Sequence, residues 1–248
     1  MKTILITGCS SGFGHETARY FLERGWNVIA TMRNPRADLF PDADNLRLLP
    51  LDVSNEESIR QAIAEAGEID VLVNNAGIGV LAALEGMEMS TVREVFETNT
   101  LGTIAMTQAV LPQFRARQSG TVINVTSTVT LKSLPLLAVY TASKAAVNAF
   151  TESLALELQP FNIHVRLVLP GMAPTTDFGK NARSRMENTQ PEPYQPLLER
   201  VFTGMQQPQP TTKAIDVAEA IWRAATDPSA PLRMPAGDDA VALMREVG

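Results

Sequence analysis

Tyr140 and Lys144 stand four residues apart in Leu137-Ala138-Val139-Tyr140-Thr141-Ala142-Ser143-Lys144. On a helix, positions i and i+4 share a face, so the ammonium would lie beside the phenol. A neighbouring cation favours the phenolate and lowers a pKa otherwise near 10. A phenol tuned this way can give a proton to a forming alkoxide or take one back. Far upstream, Thr7-Gly8-Cys9-Ser10-Ser11-Gly12-Phe13-Gly14 directly follows the apolar run Thr3-Ile4-Leu5-Ile6. Gly8, Gly12 and Gly14 there permit a tight strand-to-helix turn. The loop, with Ser10, Ser11 and Phe13, can bring backbone N–H groups and a helix N-terminus against a pyrophosphate. A Tyr-x-x-x-Lys alone is usually a surface pair, and a glycine loop alone can be an empty turn. Together they describe hydride transfer between a nicotinamide and a carbonyl carbon. Cys9 and His15 read as a small loop residue and the start of the helix.

Other residues fall where such a site needs them. Ser127 follows an apolar strand thirteen positions before Tyr140, and its hydroxyl can bond the same substrate oxygen. Asn99 interrupts the long helical stretch Ser90–Gln118, where asparagine is a mediocre helix former; that suits a kink holding a water. The second strand ends in Thr31-Met32-Arg33, with no carboxylate for an adenosine ribose. Arg33 can instead pair with a 2′-phosphate, or remain a solvated loop arginine. Asp52, beside Val53, is open to two roles: acceptor for an adenine amine, or helix-entry residue before Ser54. Asn74-Asn75-Ala76-Gly77 puts small and amide residues where backbone must lie near a planar ligand.

The elements that position these groups alternate along nearly the whole chain. Strands are expected at Thr3–Thr7, Asn27–Met32, Leu46–Pro50, Val71–Asn74, Thr121–Val125, His164–Leu169 and Leu232–Pro235. Helices are expected at Gly12–Arg24, Ser54–Ala66, Ser90–Gln118, Val139–Leu158 and Ile215–Ala225, with a capping box at Ser54-Asn55-Glu56-Glu57. Such alternation implies an α/β, doubly wound parallel sheet of about seven strands. Helices cover both faces, giving three layers, with ligands at the strands' carboxyl ends. The 248 residues read as one domain, 1–248. Thr175 to Thr212 breaks the rhythm: it is long, polar and rich in proline, and reads as a loop serving as substrate lid.

A net charge of −6 argues against nucleic acid or an anionic membrane surface as partner. One cysteine and two histidines exclude an intrachain disulfide and a cysteine-based or multi-histidine metal site, and no metal is expected. No apolar run reaches membrane-spanning length and the first strand begins at once, so a soluble cytoplasmic protein is expected.

These motifs resemble, in order and over nearly the whole chain, the short-chain dehydrogenase/reductase family. The matching positions are Gly8, Gly12, Gly14, Asp52, Asn74 to Gly77, Asn99, Ser127, Tyr140, Lys144, Pro170-Gly171 and Thr175. The resemblance implies a Rossmann-type fold. It makes Tyr140 the general acid/base, and has Lys144 also hold the nicotinamide ribose. Ser127 would orient the carbonyl and Asn99 support a proton-relay water. The stretch Pro170–Thr175 would lie beside the carboxamide. Arg33 matches the family's NADP-preferring position, so NADP(H) is the expected cofactor. The loop Thr7–Gly14 with Ala30-Thr31-Met32-Arg33-Asn34-Pro35 is similar to that of members acting on steroids and retinoids. A homodimer or homotetramer built through Ser90–Gln118 and Val139–Leu158 is implied as well. Two departures stand out: Thr130 occupies a position where the family commonly has glycine, and Asn34-Pro35-Arg36 shortens the helix expected after the second strand.

The function expected is reduction of a ketone or aldehyde, reversibly, on a hydrophobic aryl, cyclic or steroid-like small molecule. The apolar pocket is assigned to Leu134, Leu136, Leu137, Met172, Phe178, Met186, Tyr194 and Phe202; Arg183 and Arg185 can reach in, with solvent-facing side chains the favoured reading. The alternatives are a catalytically silent NADP(H)-binding sensor or regulator, and a nucleotide-sugar epimerase or dehydratase. The second normally carries a larger C-terminal domain than Gly171–Gly248 supplies.

Overall fold

Near-continuous Val/Ile/Leu runs can be buried on both sides only if helices cover both faces of the sheet they form. Seven strands pair in parallel: β1 (Thr3–Ile6), β2 (Asn27–Met32), β3 (Leu46–Pro50), β4 (Val71–Asn74), β5 (Gly120–Val125), β6 (Ile163–Pro170) and β7 (Arg233–Ala236), in the order β3-β2-β1-β4-β5-β6-β7. The computed structural model describes residues 1–176, 179, 181–182, 185, 190–207 and 209–247. Successive strand residues point to opposite faces. Ile4 and Ile6 therefore join one core with Phe21, Trp26, Val217 and Ile221. Leu5 joins the other with Ile59, Met106, Phe114 and Leu154.

The first layer is formed by α1 (Gly12–Leu22) and α7 (Ala214–Thr226), the opposite one by α2 (Glu56–Ala66), α4 (Gly102–Arg117) and α5 (Ala138–Leu158). Helix α3 (Met89–Phe96) runs into α4 through a π turn at Glu97–Leu101. The single helix expected over Ser90–Gln118 is thus broken at Asn99, and π bulges of this kind gather at functional sites. The expected capping box does not form. Asn55, not Ser54, caps α2, its side chain accepting the Ser58 N–H at 2.9 Å, while the Ser54 hydroxyl donates to Asp52 at 2.6 Å.

Among the described residues, the helices Gln195–Gln206 and Asp238–Val247 were absent from the sequence expectation. The polar segment Thr175–Thr212 is not an irregular loop throughout: it carries α6 (Gln195–Gln206), entered through a 3₁₀ turn at Glu192–Tyr194. Pro193 and Pro196 sit at first-turn positions, where a missing N–H costs nothing, so they open these elements instead of breaking them. The stripe Leu197, Leu198, Val201, Phe202 and Met205 recurs at helical spacing and packs against Leu81, Ala83 and Leu136. Helix α8 (Asp238–Val247) closes the chain after β7.

The ends of this excursion meet. The Thr212 N–H donates to the Met172 carbonyl at 2.8 Å. The buried Thr212 hydroxyl accepts the Gly171 N–H at 2.8 Å. Its proton lies between the Ala236 carbonyl at 2.8 Å and the Asp239 carboxylate at 2.7 Å. The Met172 N–H donates to the other Asp239 oxygen at 2.7 Å. This clasp ties the end of β6, the return of the excursion and α8 together. Thr212→Val keeps the shape and removes the hydroxyl, so chemical denaturation should show a loss of about 1–3 kcal/mol. An unchanged midpoint would mean the clasp contributes nothing to stability.

Candidate active site

The sheet reverses its strand order between β1 and β4, and in open α/β sheets ligands bind in the crevice beyond such a switch. Here that crevice is a cleft of about 460 Å³. Its lining includes Gly8, Ser10, Ser11, Gly12, Phe13, Arg33, Asp52, Val53, Asn75, Ala76 and Gly77, eleven of the positions assigned from sequence. Thr7 and Asn75 knit the two walls at the base. The Thr7 hydroxyl accepts from Asn75 N–H at 3.0 Å and Ala76 N–H at 2.9 Å, while the Asn75 amide donates to the carbonyls of Thr7 at 2.8 Å and Gly8 at 3.1 Å. This closeness leaves no room for a side chain at Gly8, which has φ +74° and whose Cβ would fall 2.8 Å from the Ala76 backbone. Gly14 packs beneath the Gly8 carbonyl and the Asn75 amide.

The residues present fit a dinucleotide. Ser11 is the N-cap of α1 in extended conformation, no side chain caps the helix, and its first turn holds no acidic residue. That end therefore presents backbone N–H groups and positive dipole to an anion. Met32 and Arg33 line the far end with Asp52. Asp52 takes the helix-entry role: one carboxylate oxygen accepts the Ser54 N–H at 3.0 Å and hydroxyl at 2.6 Å. The Ser54 bonds hold its pKa below the ordinary aspartate value, with Arg33 adding to the effect.

The cleft is also lined by Ile78, Gly79, Glu94, Thr98, Thr176 and Asn181, which sequence reasoning missed, and by Arg185. Thr176, not the exposed Thr175, reaches Gly12. Arg185, expected to face solvent, bonds Glu94 at 3.3 Å. Pro170 and Gly171 close β6 outside the lining, with the Gly171 N–H engaged by Thr212.

At the reacting end, α5 faces the carboxyl end of β5. Tyr140 and Ser127 share a hydrogen bond, and both are buried. Lys144, only 5% exposed, donates to the Val125 carbonyl at 3.0 Å. Asn99 is clamped: its Oδ1 accepts the Ile78 N–H at 2.8 Å, and its Nδ2 donates to the Ile78 carbonyl at 2.9 Å and the Ser143 hydroxyl at 3.0 Å. Its side chain thus sets the cleft wall after Gly77. A Cβ on Gly77 would lie 3.2 Å from Asn99 Oδ1 and 3.3 Å from Lys144 Nζ, so glycine brings the wall close to both.

Burial changes the expected acid–base balance. It raises the Tyr140 phenol well above its ordinary value, with the Ser127 hydrogen bond pulling the other way. It lowers Lys144 to about 8. The expected lowering of the phenol by the ammonium does not appear: burial raises it, and the opposing pull comes from the Ser127 hydrogen bond. The phenol is a proton donor at neutral pH.

Beside this site Leu136 adopts φ 65°, rare for a leucine, with its carbonyl accepting the Ala82 N–H at 2.9 Å. Leu137, Tyr194 and Phe202 flank the apolar cluster of Leu81, Ala83, Leu136 and Leu198. Tyr194 also bonds Glu85. Of the remaining pocket assignments, Met172 is half-buried at the Thr212 clasp, whereas Leu134 is 47% exposed and stands apart from the cluster. Phe178, Met186 and Arg183 lie outside the described residues.

The unfolded chain holds the Lys144 proton up to its ordinary 10.5, the folded protein only to about 8. Folding therefore opposes the buried charge below pH 8, and native stability rises between pH 8 and 10.5, where the unfolded chain still binds a proton that the folded protein has released. Lys144→Met should abolish turnover yet stabilise the fold by about 1–3 kcal/mol at pH 7. The gain should shrink as pH approaches 10.5. Thermal midpoints across that range test it, and a variant less stable than wild type at pH 7 would contradict it.

Comparison with known proteins agrees with the geometry. The family model described as short chain dehydrogenase matches residues 2–187. A 3-ketodihydrosphingosine reductase of Bacteroides thetaiotaomicron is 44% identical over 174 residues, 68% of this chain and 63% of the relative, so the match spans less than two thirds of that protein. Human retinol dehydrogenase 8 is 35% identical over 94% of this chain and 80% of its own. A solved short-chain dehydrogenase from Streptomyces avermitilis superposes with a TM-score of 0.84 at 35% identity, covering 99% of this chain and 91% of that one. Structures sharing the fold hold NADP in some cases and NADH in another. The chain belongs to the short-chain dehydrogenase family of oxidoreductases.

Proposed function

We propose that the protein is an NADP(H)-dependent reductase converting a ketone or aldehyde to the alcohol, reversibly. The observation that carries this is the buried Ser127–Tyr140 hydrogen bond beside Lys144, at the carboxyl end of β5 and next to the cleft. When bound there, the reduced nicotinamide supplies the hydride that the carbonyl carbon accepts. Ser127 orients the carbonyl oxygen. Tyr140 breaks its O–H bond to protonate that oxygen as negative charge develops, and Lys144, cationic at neutral pH, stabilises the phenolate left behind. The alcohol direction reverses each transfer.

The absence of a carboxylate at the end of β2 and the presence of Arg33 support the phosphorylated cofactor. The apolar cluster under α6 supports a hydrophobic aryl, cyclic or steroid-like substrate. On this reading 1–248 acts as one domain whose segment 175–212 borders the substrate. The exposed Leu101 and Leu156, on the π turn before α4 and on α5, support a homodimer or homotetramer contact there. Among the described residues no helix is long and apolar enough to cross a membrane; a cytoplasmic location is part of the proposal. No observation favours a silent sensor, and the sequence carries Asn99, Ser127, Tyr140 and Lys144.

Tyr140→Phe should keep cofactor affinity while NADPH-dependent ketone turnover falls by about 10²–10⁴. Near-normal turnover would remove this mechanism. Arg33→Ala should weaken NADPH by about ten- to a hundredfold and leave NADH nearly unchanged. Equal losses for both, measured by titration, would place Arg33 away from the 2′-phosphate.

A further inference from the structure

Ser127 must be aimed, and the main chain that aims it is held from an unexpected direction. Ser127 is the extended N-cap of a one-turn 3₁₀ helix, Thr128–Thr130, with φ −170° and ψ 152°. Its hydroxyl accepts the Val129 N–H at 3.3 Å, which leaves its own proton and remaining lone pair for Tyr140. Its carbonyl receives two bonds, from the Thr130 N–H at 3.2 Å and from the Thr130 hydroxyl at 2.7 Å. The same Thr130 oxygen accepts a third bond, from Asn148 Nδ2 at 2.9 Å. Tyr140, Lys144 and Asn148 follow one another at four-residue steps on α5, and each contacts the strand end opposite. Tyr140 bonds Ser127, Lys144 bonds Val125, and Asn148 bonds Thr130.

We propose that Thr130 and Asn148 are positioning residues: their hydrogen bond fixes the turn carrying Ser127 against the helix that carries Tyr140. The proposal rests on the reading of Ser127 and Tyr140 as the reacting pair. Only a side chain that both donates and accepts can sit between the Ser127 carbonyl and the Asn148 amide. Threonine does so, whereas the glycine expected from the family pattern cannot. Asn148 is 8% exposed, and its Oδ1 is buried without a hydrogen-bond partner. A leucine of similar size would avoid that cost, so stability alone does not account for an amide here.

The test compares Thr130→Val, Thr130→Ser and Asn148→Leu, each with Ser127 intact and in a Ser127→Ala background. Steady-state and single-turnover reduction of a cyclic ketone by NADPH are measured, with NADPH affinity and thermal midpoint. With Ser127 intact, the Val and Leu variants should lose about ten- to a hundredfold in kcat, the usual scale for a misaimed group. Their ketone KM and NADPH affinity should stay within about twofold, which separates positioning from binding. Thr130→Ser should restore kcat, Asn148→Leu should be no less stable than wild type, and neither Val nor Leu should add to the loss already caused by Ser127→Ala. If Thr130→Val does not fold, Asn148→Leu removes the same bond from the helix side. Unchanged kcat in a folded Val or Leu variant, or the same loss in the Ser127→Ala background, overturns the brace while the chemistry stands. Near-normal turnover of Ser127→Ala itself overturns both.

Discussion

A charge held almost out of water is the constraint on which the rest of this structure depends. Lys144 keeps a charged ammonium within the protein against the Val125 carbonyl, and burial lowers its affinity for the proton. Such a group is tolerable only where its surroundings cannot move to expose or abandon it. Helix α5 is accordingly pinned along its length to the end of β5, through Ser127, Val125, Thr130 and, one turn further, the bond from Asn124 to Thr151 at 2.8 Å. Asn124 also accepts from Asn74 at 2.8 Å, which carries the polar ladder across to β4. The reacting groups are thus set by the same bonds that satisfy buried polar atoms.

The cleft follows from topology as directly. Because β1 and β4 are neighbours, the two loops leaving their carboxyl ends must diverge, and the gap between them becomes the binding crevice. Thr7 and Asn75 close its floor, which is why glycine is needed at Gly8. Asn99, at the π turn, closes a wall by holding both polar groups of Ile78. One buried amide therefore serves the shape of the cleft and the seat of α5, through Ser143.

The excursion between β6 and α7 obeys different physics. It leaves and returns through the Thr212 clasp, so its stem is fixed, and among its described residues helix α6 packs against Leu81, Ala83 and Leu136. Helix α6 offsets part of its ordering entropy by burying Leu198 and covering Leu81 and Ala83. The Gln190 amide oxygen accepts the Ala83 N–H at 2.8 Å and adds a polar anchor beside this apolar one.

Strand positions, parallel order and the two chemical motifs were legible in the sequence, because each rests on local signals: period, glycine placement, an i, i+4 pair. The glycine loop was legible for the same reason: Gly8, Ser10, Ser11, Gly12 and Phe13 all line the cleft. Helix α6 was hidden by prolines that open helices as readily as they end them, although its apolar stripe was present. What only the tertiary structure decided were long-range matters. Asn75 meets Thr7 and Gly8 across 68 and 67 residues, and Arg185 meets Glu94 across 91. The direction of the Tyr140 shift reversed for a related reason: sequence spacing shows a cation beside a phenol, but burial is a property of all the neighbours at once. Thr130 is the same case, a departure from pattern by sequence whose purpose depends on an amide eighteen residues away.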